Sequence, residues 1–127
     1  MEENYFQEET SKKGIGFFVA LAALLVFTFM GIGVDVDQYL QHSELKIPQW
    51  YFYLIFLVDF FLIVSLILIF FYKKLGVFIY PLMAALHFFF HMYYLNTFLY
   101  SDVFNLFIFF GLGLLFIIPK WKFFRWL

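Results

Sequence analysis

The sequence predicts an all-α, polytopic membrane protein, a four-helix transmembrane bundle in up-down-up-down order. Three observations lead there. Hydrophobic residues make up 65% of the 127 positions and charged residues 13%, against roughly half and a quarter in soluble domains. With a mean hydropathy of +0.91, a chain this short has too little interior to hide its apolar surface from water. The apolar residues fall into four runs, about 14–34, 50–72, 76–96 and 102–118, each near the roughly 20 residues a helix needs to cross hydrocarbon. Basic residues gather at alternate connections, which gives the bundle an orientation.

Residues 1–13 form a polar head rich in acids (Glu2, Glu3, Glu8, Glu9). No small-residue cleavage site follows, so the first apolar run is expected to stay in the mature protein. That run carries Gly16 and Ala20, a small-xxx-small pair that lets a neighbouring helix come close. It ends in GIGVDVD, which reads as an exit into water, with Asp35 and Asp37 as solvated end-charges. The polar connection that follows carries Tyr39, Leu40, Leu45 and Ile47, apolar residues suited to a short helix lying on the membrane surface. Pro48 closes it, and Trp50, Tyr51 and Tyr53 stand where an interfacial aromatic belt belongs.

The second run reaches Tyr72, and Lys73-Lys74-Leu75-Gly76 turns the chain into the third. A short connection, Thr97 to Asp102, leads to the fourth, where Gly111 and Gly113 are expected to mark close helix packing. Pro119 ends the bundle (14–119), and residues 120–127, KWKFFRWL, read as a basic-aromatic membrane-surface anchor. Loops this short make consecutive helices antiparallel neighbours. Lys12 and Lys13, Lys73 and Lys74, and Lys120, Lys122 and Arg125 then fall on one side, with Lys46 opposite. By the positive-inside rule both termini are cytoplasmic, and a bacterial inner membrane is the expected location.

Several function classes drop out. Without cysteine there is no disulfide, thiolate metal site or cysteine nucleophile. A net charge of −1 with no long basic run implies no nucleic-acid partner. No Gly-rich phosphate loop, GxSxG or HExxH occurs, so no catalytic residue is assigned. The 23 phenylalanines are spread over all four runs and the tail, as lipid-facing and packing residues rather than one ligand groove.

What remains is a set of polar groups at membrane depth: Asp59, His87, His91, Asp102 and Asn105. Ionisable groups there are costly and mark functional sites by default. Counting helical rise at about 1.5 Å per residue puts Asp59 and His87 at nearly the same level, roughly 13–16 Å deep. His91 lies one turn further out, on a stripe with Tyr80, Ala84, His87 and Tyr94. Three uses compete. Asp59 and His87 can hydrogen-bond across two helices and set their register, which is the ordinary use of such residues and needs no cofactor. His87, His91 and Asp59 can ligate zinc or iron, a use weakened because the sequence shows no second carboxylate near them. Asp59 and His87 can relay protons or serve a quinone.

A loop ending in Ile47-Pro48, an acid midway along the second run (Asp59), and the basic turn Lys73-Lys74-Leu75-Gly76 resemble the DoxX-like family of small four-span membrane proteins. The likeness covers mainly residues 14–96, and the family usually shows Glu at the position of Asp59. It implies an accessory or quinone-linked redox membrane protein. The expected function is therefore a small accessory or assembly subunit, packing against a larger membrane complex or against itself in the lipid. The alternatives are a redox-linked protein handling quinone, protons or a metal, and an oligomeric transporter of a small solute or lipid. An enzyme is not expected.

Overall fold

The computed structural model describes residues 12–96 and 100–126, and is helical throughout apart from turns and one isolated backbone bridge. Most of the expected head, residues 1–11, part of the connection at 97–99, and Leu127 lie outside the described residues. Four helices are long and apolar enough to cross a bilayer, the build of a multi-pass membrane protein.

Helix α1 spans Ile15–Leu40. Gly14 precedes it in an extended conformation, with no side-chain cap. The helix does not stop at Val34. It runs on through Gly31, Gly33 and the acids because its inward face keeps helical spacing to the end: Phe17, Ala20, Leu24, Thr28, Gly31 and Asp35 are all buried. Tyr39, near its last turn, is held by Phe52 and Phe56 at ring distances of 5.4 and 5.9 Å. The anticipated surface helix shrinks accordingly to α2, His42–Leu45, with Tyr39 and Leu40 belonging to α1. Lys46 then takes a left-handed conformation (φ 58°), the usual backbone device for ending a helix.

Helix α3 spans Gln49–Phe70 behind an extended Pro48. It is the most enclosed of the four, 44% of its apolar window being buried against 28–33% elsewhere. Tyr72 (φ 62°) turns the chain, and α4 spans Lys74–Tyr94. The turn is tight because Gly76 lies against α3: a Cβ there would overlap the Ser65 carbonyl oxygen. Pro81, inside α4, has no N–H to give the preceding turn.

The fourth span is made of consecutive pieces. Helix α5 is Tyr100–Ile108, a π-helical segment covers Phe109–Gly113, α6 is Leu114–Ile117, and a 3₁₀ stretch runs Ile118–Phe123. The sequence reading placed Gly111 and Gly113 at tight packing. In fact a Cβ at Gly111 would meet nothing within 4 Å, and one at Gly113 would make ordinary contacts. Gly16, like Gly76, is a glycine that serves packing, since the ring of Phe116 fills its Cβ position.

The tail is tied down as well. Arg125 N donates to Tyr72 O (2.9 Å), Lys74 N donates to Arg125 O (2.7 Å), and Phe124 is buried against Tyr72 and Trp121. Phe17, Leu24, Leu62, Ile69, Tyr80 and Phe109 belong to one apolar core. Phe18, Phe29, Phe60, Phe89, Phe107 and Phe110 point outward, as expected for rings that face lipid.

Candidate functional site

Each of the four long helices sends an ionisable group into one buried cluster: Asp35 from α1, Asp59 from α3, His87 and His91 from α4, Asp102 from α5. Asp35, His87 and His91 are 0% exposed, Asp102 is 1% and Asp59 is 4%.

His87 is the hub. Its Nδ1 lies 2.6 Å from Asp102 Oδ2 and its Nε2 lies 2.7 Å from Asp35 Oδ2. Asp35 also takes His91, with Nε2 of that ring 2.6 Å from Oδ1. Asp59 Oδ1 is 3.1 Å from the same His87 Nε2, farther than Asp35 Oδ2 at 2.7 Å. Neither oxygen of Asp59 completes a hydrogen bond among the described residues. Gly31 forms part of the wall, and a Cβ there would stand 3.5 Å from His87 Cε1 and 3.8 Å from Asp102 Oδ1.

Proton counting shows what this arrangement can do. A neutral imidazole donates through one nitrogen only. Carboxylates at both nitrogens of His87 therefore require an imidazolium or a protonated carboxyl. The cluster holds at least one proton beyond what neutral imidazoles and ionised acids would carry, within reach of several acceptors.

The expected polar residues are all buried here, with different partners. Asp59 and His87 meet, as rise-counting anticipated. His91 faces Asp35 rather than Tyr94, which leaves the stripe and is 43% exposed. Asp102 is bonded to His87, whereas the side chain of buried Asn105 meets no hydrogen-bond partner among the described residues.

Two corrections matter most. Asp35 is no solvated end-charge. Only Asp37 is exposed, reached at 3.3 Å by Gln41. Asp35 stays inside because α1 continues and carries it on the buried stripe. With Asp35 and Asp102 in place, the second carboxylate that the metal reading lacked is also present. Tyr51 departs from the aromatic belt too. Trp50 and Tyr53 are exposed, while Tyr51 is 0% exposed, 6.5 Å from the His91 ring, with a hydroxyl that meets no hydrogen-bond partner among the described residues. The α1 stripe, continued by one more helical step past Gly31, was the signal for Asp35. Tyr51 had none.

No family model, curated protein or solved structure matches this chain.

Proposed function

We propose that this chain is a small multi-pass membrane protein whose function is to take up and release cations, protons or a metal ion, at the Asp35/Asp59/His87/His91/Asp102 cluster. The carrying observation is Asp59, a buried acid that receives no hydrogen bond. An acid at a helix centre costs about 3 kcal/mol to insert, while interhelical hydrogen bonds return on average about 0.6 kcal/mol. Register-setting alone is poor compensation for three carboxylates, and a cation gives them a reason to be there.

The up-down-up-down bundle with both termini cytoplasmic belongs to this proposal. It is supported by the meeting of three basic segments: Lys13 Nζ lies 4.5 Å from the Tyr72 ring, and Arg125 bonds the backbone of Tyr72 and Lys74. Basic residues gathered at one end are what the positive-inside rule requires of a four-span chain.

Infrared difference spectroscopy of the purified protein in detergent tests the proposal. A working ion site exchanges with bulk water, so carboxyl bands should respond to bulk pH while the protein stays folded, and part of the response should vanish in Asp59→Asn. A pH response identical in wild type and Asp59→Asn, carried by exposed acids such as Asp37 alone, would mean a sealed, purely structural cluster.

A second reading, an accessory subunit docking a transmembrane helix of a larger complex or of a second copy, draws on a different feature. Phe88, Val103, Leu106, Phe107, Phe110 and Gly111 line an apolar groove of about 550 Å³. The open Cβ position of Gly111 leaves room there for another helix. Loss of a co-purifying partner in Gly111→Leu, under mild detergent, would favour this reading.

A further inference from the structure

The donor atoms of the cluster are arranged more specifically than proton storage requires. One ligand atom from each of Asp35, His87 and His91 can be chosen so that all three lie within 4.8 Å of one another. Both imidazoles present Nε2 to the two oxygens of the same carboxylate, at 2.7 and 2.6 Å. Around one ion with nitrogen and oxygen ligands at about 2.0–2.2 Å, neighbouring donors stand roughly 3–3.5 Å apart. The two Nε2–Asp35 contacts need to open by less than about 1 Å to admit an ion.

We infer that the cluster is a binding site for a first-row divalent transition metal, with Nε2 of His87, Nε2 of His91 and the carboxylates of Asp35 and Asp59 as ligands. Asp102 holds His87 from behind. The inference rests on the ion-handling reading above and gives that ion a chemical class.

Three features carry it besides the spacing. First, Asp102 Oδ2 lies 2.6 Å from His87 Nδ1, so the tautomer with its hydrogen on Nδ1 turns the Nε2 lone pair toward Asp35 and Asp59. A carboxylate behind a ligating imidazole is the usual outer support of a metal-bound histidine. Second, Asp59 is aimed into the cluster with only His87 Nε2 beside it at 3.1 Å, a nitrogen already engaged by Asp35 at 2.7 Å, and a cation adds the charge partner that this shared nitrogen supplies incompletely. Third, three carboxylates with two neutral imidazoles carry a charge of −3, which a divalent ion reduces to −1. Two imidazoles with carboxylate oxygens suit zinc, iron(II), cobalt(II) or manganese(II). Calcium and magnesium prefer oxygen alone, and copper(I) selects sulfur.

Binding is a proton-for-metal exchange with no change of oxidation state. The Nε2–H bonds of His87 and His91, where present, are replaced by Nε2–metal bonds, and the protons leave to bulk water.

The test uses full-length protein without a polyhistidine tag, stripped with chelator and titrated with Co²⁺ while visible absorbance is read. One Co²⁺ per chain is expected, with ligand-field bands of a low-coordinate N/O site, release of protons to the medium, and displacement by Zn²⁺. His91→Ala should lose at least about 100-fold in affinity. Asp102→Asn, which leaves every ligand in place, should lose about 10- to 100-fold. His42→Ala, outside the cluster, should bind as wild type does. The inference is overturned if the folded wild-type protein takes up no stoichiometric Co²⁺, or if binding survives His91→Ala and disappears in His42→Ala. Absent binding together with a carboxyl response that is partly lost in Asp59→Asn removes the metal and leaves proton handling. Absent binding with a response unchanged by Asp59→Asn removes both.

Discussion

The interior of the bundle contains two polar sites of opposite character. Thr28 of α1 and Tyr80 of α4 share a single buried hydrogen bond of 3.0 Å. Both are neutral, each satisfies the other, and the Tyr80 ring stacks on Phe109 at 5.5 Å. The Asp/His cluster, also reached from α1 and α4, gathers three carboxylates around two imidazoles and leaves Asp59 without a completed hydrogen bond. Thr28–Tyr80 is what helix glue looks like when nothing else is asked of it: one donor, one acceptor, no charge. The cluster carries more charge than register-setting needs, and that difference between the two sites is what the proposed ion-handling role rests on.

The largest expected effect comes from removing the hub. His87→Ala leaves Asp102 without its imidazole and Asp35 with His91 alone, and breaking a buried pair costs about 3–5 kcal/mol. Thermal unfolding in detergent, or accumulation in membranes if the variant is too unstable to purify, measures it. An effect no larger than that at Thr28 would erase the distinction between the sites.

Thr28→Val keeps the shape and removes one hydrogen bond. A loss of about 0.5–1.5 kcal/mol is expected, read from the same unfolding experiment. Combined with Tyr80→Phe, it should cost less than the sum of the two single changes. Strict additivity would mean that the hydrogen bond contributes nothing. The smallest effect belongs to Asp37→Asn. This acid is two residues from Asp35 but exposed, so stability should change by less than about 0.5 kcal/mol. A loss comparable to that of a cluster residue would mean that charge at the end of α1, rather than burial in the cluster, is what matters.

The all-helical build with four helices long and apolar enough to cross a membrane was legible in the sequence, because hydropathy over some twenty residues is a strong signal. The meeting of Asp59 with His87 was legible too, since counting rise from the two ends of α3 and α4 brings them to one level. Asp35 was not. Glycines followed by acids read locally as an exit into water, and that local pattern masks the helical stripe that Asp35 continues four residues past Gly31 on α1, which is helical to Leu40. The partner of His91 was hidden for the same reason. Tyr51 was hidden by its company, lying between Trp50 and Tyr53 in a stretch whose composition matches an interfacial belt, although its ring turns inward. Gly111 failed differently: a π-helical turn rotates it to an open flank, and no periodicity argument anticipates that extra residue.

The central claim is that the cluster is kept at a cost in stability, and the unfolding temperatures of Asp59→Leu and Thr28→Val, measured side by side in one detergent without added metal, test it most directly. Asp59→Leu removes a buried acid whose one close contact, His87 Nε2 at 3.1 Å, is shared with Asp35 and completes no hydrogen bond, a poorly satisfied group of the kind that costs about 1–3 kcal/mol, so this variant should unfold at a higher temperature than wild type. Thr28→Val should unfold at a lower one. Opposite signs are the predicted result. If Asp59→Leu also unfolds at a lower temperature, by as much as Thr28→Val or more, the acid is part of the glue and the account is wrong.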